Sequence, residues 1–503
     1  MSVDGERPLI ATSGGIVRGV RRVSPDGPVQ EFLGVPYARA ERFRPATAVP
    51  PWAGIRDTIE YAPAAPQLVD DVVAGSESDC LALNVWRPEG AEGRPIMLWI
   101  HGGGFYSGST AAPVTAGDRL AARHGVIVIS VGYRLGALGF LSLDHLLGSG
   151  FGDSANLALL DLITALRWVR DHAAALGGDA DRITLFGQSA GAAATATLLG
   201  MPATEGLFRR AIVQSGTAER AQPPEFGVER TAELLSLLGI PEDRAERLLE
   251  LPVESIIEAQ SALIERRSRG RIATVFAFQP TIDGRWLPEL PYRSVAAGTN
   301  ADVELIVGTN VHESAGLGAP LALTDREVAA LPETLESLIA EDFPGRDDLA
   351  EQYRAAFRRI VPDGSAAELL GAYLTDRTYR QPSNRLLEAR AGAARAATYA
   401  YLFTWERSGE PRQGATHALE LPFVFRQLDL AESADDLGLD PPGCLADALA
   451  SAWTSFAATG VPAGAGPGWP EFRMPHRPTL LAGRWLAVAH DPRRELRELL
   501  ARP

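Results

Sequence analysis

Through the first half of the chain, short apolar runs closed by turn residues alternate with longer stretches of helical periodicity. "PIMLWIH" (Pro95–His101) and "GVIVIS" (Gly125–Ser130) are apolar almost throughout and too short for helices. They read as strands buried on both faces. "NLALLDLITALRWVRDHAAALGG" places Leu159, Ile163, Leu166 and Val169 at three- and four-residue steps. One helix is expected there, stopped by Gly177 and Gly178. "DRITLFG" then returns to a strand. This alternation predicts an α/β fold, a mostly parallel central sheet with helices on both faces.

The second half keeps the sheet but interrupts it. From about 219 to 269, and again from about 325 to 395, the pattern is helical and charged. "VELIVG" (Val303–Gly308) lies between these stretches and "ATYAYLFTW" (Ala397–Trp405) follows them, both strand-like. The expected organisation is one catalytic domain over 1–503 with two helical insertions. Such insertions are where a lid over a pocket is built, and structural filler is the other reading. There are no internal repeats, and "PAGAGPG" near the end is a loop.

Composition narrows the chemistry. Over 503 residues, 46% hydrophobic and 22% charged content suits a soluble globular protein with a large core. A net charge of −15 argues against nucleic acid as a partner. All 48 basic residues are arginine, which excludes a P-loop lysine, a pyridoxal Schiff base and a Ser-Lys dyad. No apolar run reaches the roughly 18–20 residues that span a bilayer, so no membrane association is expected. The first residues lack the basic-then-apolar pattern of a signal peptide. Two cysteines, Cys80 and Cys444, cannot make a disulfide framework and read as core residues. A cytoplasmic location is expected.

The candidate chemistry centres on "ITLFGQSAGAAA", Ile183 to Ala194. Gly187-Gln188-Ser189-Ala190-Gly191 matches Gly-x-Ser-x-Gly and falls between a buried strand and a helix. A sharp strand-to-helix turn needs glycine at both flanks and lifts the serine hydroxyl out at the edge of the sheet. Attack by serine creates an oxyanion, and "HGGGF" (His101 to Phe105) offers donors for it. The N–H groups of Gly103, Gly104 and Ala190 would form the hole. No Gly-x-Gly-x-x-Gly spacing supports a nucleotide loop instead. The chain order serine, acid, histidine leaves His312, His417, His476 and His490 of the eight histidines. His417, in "GATHALELPFVF", follows the strand that ends near Trp405. His476 lies in a proline-bounded loop, and "HDPRREL" after His490 reads as a helix start. Carboxylates abound between serine and histidine. Glu313, in the loop beyond "VELIVG", has the position of an acid that orients the base.

Taken together, these stretches resemble the type-B carboxylesterases, which share the α/β-hydrolase fold with the cholinesterases. The likeness runs over nearly the whole chain, through "FLGVPYARAERFRP", "DCLALNVWRP", "LWIHGGGFYSG", "YRLGALGFL", "ALRWVRDHAAALGGDADRITLFGQSAGA", "FRRAIVQSG", "FQPTIDG", "GTNVHES" and "GATHALELPFVF". The resemblance implies Ser189 as nucleophile, Glu313 as acid and His417 as base, with Gly103, Gly104 and Ala190 as oxyanion donors. It implies Ser215 as a serine near the acid, Gln188 beside the nucleophile, and Arg134–Asp161 as a structural ion pair. The expected activity is hydrolysis of small-molecule carboxylic esters through an acyl-enzyme, with no metal or other cofactor. Alternatives are a silent binding module on the same fold, or an amide or carbamate hydrolase. Five positions depart from the pattern: Ser78 where glutamate is usual, Gly132 for asparagine, His312 for aspartate, and Ser314 and Ala418 for glycine. Gln188 stands where cholinesterases carry glutamate. The stretch between Gln67 and Cys80 lacks the tryptophan that they use for quaternary ammonium. A choline-ester specialist is therefore not expected.

Overall fold

The apolar runs assemble into one large sheet. In the computed structural model, residues 7–269, 276–314, 325–407, 414–438, 440–464, 466 and 468–501 are described, residues 325–329 by their backbone alone. The sheet's strands are β1 (Val20–Ser24), β2 (Gly27–Pro36), β3 (Ala82–Pro88), β4 (Arg94–Ile100), β5 (Ile127–Val131), β6 (Gly178–Gln188), β7 (Arg210–Gln214), β8 (Glu304–Asn310), β9 (Thr398–Phe403), β10 (Pro478–Ala482) and β11 (Leu486–His490). They form an 11-stranded sheet in the order β11-β10-β9-β8-β7-β6-β4-β5-β3-β2-β1. From β5 across to β10 all neighbours are parallel. Antiparallel pairs finish both ends. After β6, each new strand lies beside the one before it.

Alternation along the central strands feeds two cores. Ile96, Leu98 and Ile100 of β4 pack into one cluster, while Met97 and Trp99 pack into the other. The first face is covered by α1 (Leu157–Asp171) and α2 (Ala190–Leu199). The predicted Leu159, Ile163, Leu166 and Val169 stripe of α1 is fully buried there. Each such side chain contributes about 1.5–3 kcal/mol when removed from water.

The helix expected to run on to Gly177 is broken at His172, and Ala173–Leu176 forms a separate turn. The His172 ring stacks on Trp168 (centroids 4.1 Å apart) and its Nε2 accepts the N–H of Ser13 at 2.8 Å. That side chain ties the helix end to the N-terminal segment, a tertiary demand that periodicity does not show.

Both charged stretches are helical. The first holds α3 (Pro224–Leu237) and α4 (Val253–Ser268). The second holds α5 (Asp325–Asp342), α6 (Leu349–Ile360), α7 (Ala366–Thr375) and α8 (Gln381–Ala393). A capping box starts α7: Ser365 Oγ accepts the Glu368 N–H while the Glu368 carboxylate accepts the Ser365 N–H. Leu335, Ile339, Tyr353, Phe357, Leu370 and Tyr373 form a small core of their own here, closed by Leu496 from the last helix. The second sheet face is covered by α9 (Gly443–Thr459). Cys444 sits at its start and is exposed, contrary to the expectation of a core position, whereas Cys80 is buried. Among the described residues, no helix is long and apolar enough to cross a membrane.

Candidate active site

Ser189 is the single residue between β6 and α2, at φ 58°, ψ −123°. Backbone strain of this kind costs about 1–3 kcal/mol and persists only where the surroundings enforce it. Here they do. The Ser189 N–H donates to Gln214 O of β7 at 3.0 Å, and its carbonyl accepts the Ala193 N–H at 2.8 Å. A Cβ on Gly187 would lie 2.6 Å from the Gly191 carbonyl, and one on Gly191 only 2.0 Å from Ile100 O. Glycine is required at both flanks.

Gly103 (φ 109°), Gly104 (φ 63°) and Phe105 (φ 67°) bend the chain directly after β4. The turn closes when Tyr106 and Ser107 donate their N–H groups to Gly103 O at 3.1 and 2.9 Å. Phe105 anchors it, edge-on to Phe140 in the core. Among the described residues, the N–H groups of Gly103, Gly104 and Ala190 have no acceptor. That of Ala190 also carries the positive end of the α2 dipole. His101, at the base of the loop, stacks on Tyr133, and burial pushes its pKa down to about 4. It is neutral at pH 7.

Glu313 is fully buried just past β8. Its Oε1 accepts the Asn310 N–H at 2.7 Å, and its Oε2 is 2.6 Å from His417 Nδ1. Burial by itself lowers the His417 pKa, but the Glu313 carboxylate outweighs it and leaves the imidazole above its usual value. The Nδ1–H therefore points at Glu313 and the lone pair resides on Nε2. Gln188 Nε2 lies 3.1 Å from that nitrogen. Ser189 Oγ makes no hydrogen bond among the described residues, so the Gln188 amide holds the lone pair in this state.

Some supporting residues were not expected from the sequence. The Tyr379 ring packs against His417 at 4.9 Å. Glu420 lies buried behind the pair, accepting from Asn310 Nδ2 at 2.7 Å and Gln214 Nε2 at 3.2 Å. Burial and the nearby Glu313 charge push its pKa up to about 6. For Glu420 the sequence does carry a signal, a carboxylate inside the apolar run "ALELPFVF". Tyr379 left none.

The departures from the family pattern have local explanations. His312 pairs with Ala415 through backbone N–H to O (3.1 Å) and Ala415 N–H to Nδ1 (3.0 Å), pinning the loop that leads to His417. At Gly132 the backbone lies so close to Cys80 that a Cβ would fall 2.3 Å from Cys80 O, so a side chain there would require the two strand ends to move apart. Ser314 N–H donates to Thr375 Oγ1 at 3.1 Å, and Ser78 Oγ to Asp79 at 2.6 Å. Ala418 takes the left-handed φ of 70° that glycine adopts without cost. Ser215 follows β7 with its N–H on Gly308 O, but its buried Oγ has no partner among the described residues, Glu313 included. Arg134 and Asp161 form a buried two-pronged pair at 2.6 and 2.7 Å. His476, just before β10, and His490, at the end of β11, meet edge to face with ring centroids 6.3 Å apart. His490 closes a strand and the last helix starts at Arg494, so the expected helix start is displaced by four residues. Among the described residues, no group of three or more His, Cys, Asp or Glu is arranged to hold a metal ion.

Sheet, covering helices and elbow are those of an α/β hydrolase. The solved structure of a carboxylesterase from Geobacillus stearothermophilus matches with a TM-score of 0.85 and 31% identity, over 98% of this chain and 100% of that one. The chain belongs to the carboxylesterase family, whose model matches residues 6–495. It is a carboxylic ester hydrolase, and the silent-module alternative falls. Para-nitrobenzyl esterase of Bacillus subtilis (strain 168) is 34% identical over 98% of each chain. Phenmedipham hydrolase of Pseudarthrobacter oxydans is 33% identical over 99% of this chain and 98% of its own.

Proposed function

We propose that this esterase works by acyl transfer through Ser189, His417 and Glu313. The observation that carries the reading is the 2.6 Å contact between buried Glu313 and His417 Nδ1, at the same sheet edge as the strained serine. When substrate enters, the Ser189 hydroxyl replaces the Gln188 amide at His417 Nε2. His417 takes the hydroxyl proton as Oγ attacks the ester carbonyl, and Glu313 stabilises the imidazolium. The N–H groups of Gly103, Gly104 and Ala190 receive the oxyanion. His417 returns the proton to the leaving alcohol, and water then cleaves the acyl-enzyme by the same route.

The test is hydrolysis of 4-nitrophenyl esters from acetate to octanoate, with matched anilides alongside, by wild type and Ser189→Ala. Wild type should show a chain-length optimum, and Ser189→Ala should lose about 10⁴-fold or more in kcat. Equal turnover in the two proteins would remove Ser189 from the mechanism. Faster cleavage of the anilides would replace ester with amide as the preferred bond.

A further inference from the structure

The loop after β7 runs along the same carboxyl edge of the sheet as Ser189. It is held throughout its length. Ser215 N–H reaches Gly308 O at 2.8 Å, Ser383 Oγ donates to Gly216 O at 3.2 Å, Tyr292 N–H to Ala218 O at 3.2 Å, and Gln222 N–H to Pro280 O at 2.9 Å. Two charged residues, Glu219 and Arg220, project from this fixed segment. Glu219 is engaged by both prongs of Arg385.

Arg220 is different. It has no carboxylate partner and no hydrogen bond among the described residues, although it is half-buried. Its guanidinium carbon lies 3.4 Å from the centroid of the Phe276 ring, a face contact that uses none of its N–H donors. Its other neighbours are Tyr379, the ring packed on His417, whose phenol feels both the Glu313 and the Arg220 charge, and Glu219, whose charge also acts on Arg220 but whose hydrogen bonds go to Arg385. Burial lowers the Arg220 pKa to about 10, so the group stays charged at neutral pH. The nearby cation Arg377 is neutralised by Asp342 at 2.7 Å.

An unpaired, partly desolvated guanidinium is costly in a resting protein. Its planar fork matches a carboxylate with two parallel hydrogen bonds. The molecule carries a net charge of −15, so an anionic substrate needs a local positive group to be held at the edge. We infer that Arg220 is a substrate-binding residue and that the preferred substrates are acidic esters, carrying a carboxylate in addition to the scissile bond. The inference rests on the esterase reading above and on His417 as its base.

The test uses two matched pairs: monomethyl adipate against methyl hexanoate for an acid on the acyl side, and 4-carboxyphenyl against 4-methylphenyl butyrate for the alcohol side. For each protein the acidic-to-neutral ratio of kcat/KM is measured, so that unequal amounts of folded enzyme cancel. Arg220→Gln should lower that ratio at least tenfold for one pair, mainly through KM, with Arg220→Lys intermediate. Ratios within twofold of wild type for both pairs would overturn the inference. Binding without turnover is read by calorimetric titration of monomethyl adipate into Ser189→Ala and into Ser189→Ala carrying Arg220→Gln. Weaker binding to the second protein supports the Arg220 site even if His417 or Ser189 has been misassigned. Equal affinity excludes it.

Discussion

Ala418 follows His417, the proposed base, at φ 70°, where an L side chain costs about 1–2 kcal/mol. Glycine escapes that cost but loses about 0.5–1 kcal/mol through its freer unfolded chain. Ala418→Gly should therefore raise the unfolding free energy by about 0.5–1 kcal/mol in a urea titration. A decrease would mean that the alanine methyl packs better than its conformation suggests. His417 gives a second prediction at this scale. A base works only when neutral, and the Glu313 contact raises the His417 pKa. The acid limb of kcat/KM should therefore lie above the ordinary histidine value of about 6.5. The Glu420 charge adds to the same shift, so Glu420→Gln should move the limb downward. A limb at or below 6.5 in wild type would contradict this account. Ser189 and His417 were legible because the turn around the serine shows as glycines and the histidine follows a strand. Tyr379 was not, nor was the contact of Gln188 with His417, since both contacts exist only once distant elements have met.

At the scale of the element, what the chain revealed is what the backbone compels. β4 and β5 are buried on both faces and read as apolar runs with boundaries close to those observed. The break at His172 escaped because a stacking contact and a distant N–H decide it. The elbow shows the strongest local constraint. Gly191→Ala would place its methyl carbon 2.0 Å from Ile100 O, which β4 holds in the middle of the sheet. We expect a loss of at least about 3 kcal/mol, or no folded protein, measured by thermal melting. A milder effect is expected at the start of α7. Ser365→Ala removes one side of its capping box and should cost about 1 kcal/mol. An unchanged melting temperature would show that this helix is stabilised by its packing alone.

Across the whole molecule, buried titratable groups link stability to pH with opposite signs. His101 has a pKa of about 4 in the folded chain, against about 6.5 when unfolded. As pH falls through that window the unfolded chain takes the proton first, so the folded state loses about 3 kcal/mol in total. Glu420, raised from 4.5 to about 6, binds its proton first in the folded state. It returns about 2 kcal/mol over the lower part of the same range. His101→Gln should therefore lose about 2 kcal/mol less than wild type between pH 7 and pH 5, by chemical unfolding at each pH. Identical losses would remove His101 as a source of acid sensitivity. The order in which the later strands join was not legible, because apolar pattern identifies strands without naming their neighbours.

That order bears on how the enzyme comes into being. From β7 onward every strand pairs with the one synthesised just before it, so a chain leaving the ribosome can extend its sheet one edge at a time. Ser189 arrives first, the proposed acid Glu313 more than a hundred residues later, and the proposed base His417 only after β9. A nascent chain stopped near residue 400 contains Ser189 but not yet His417, the base of the proposed triad. On the proposed mechanism, reactive chemistry is withheld until most of the scaffold exists, and the first ester cleaved on the ribosome would report that translation has passed His417.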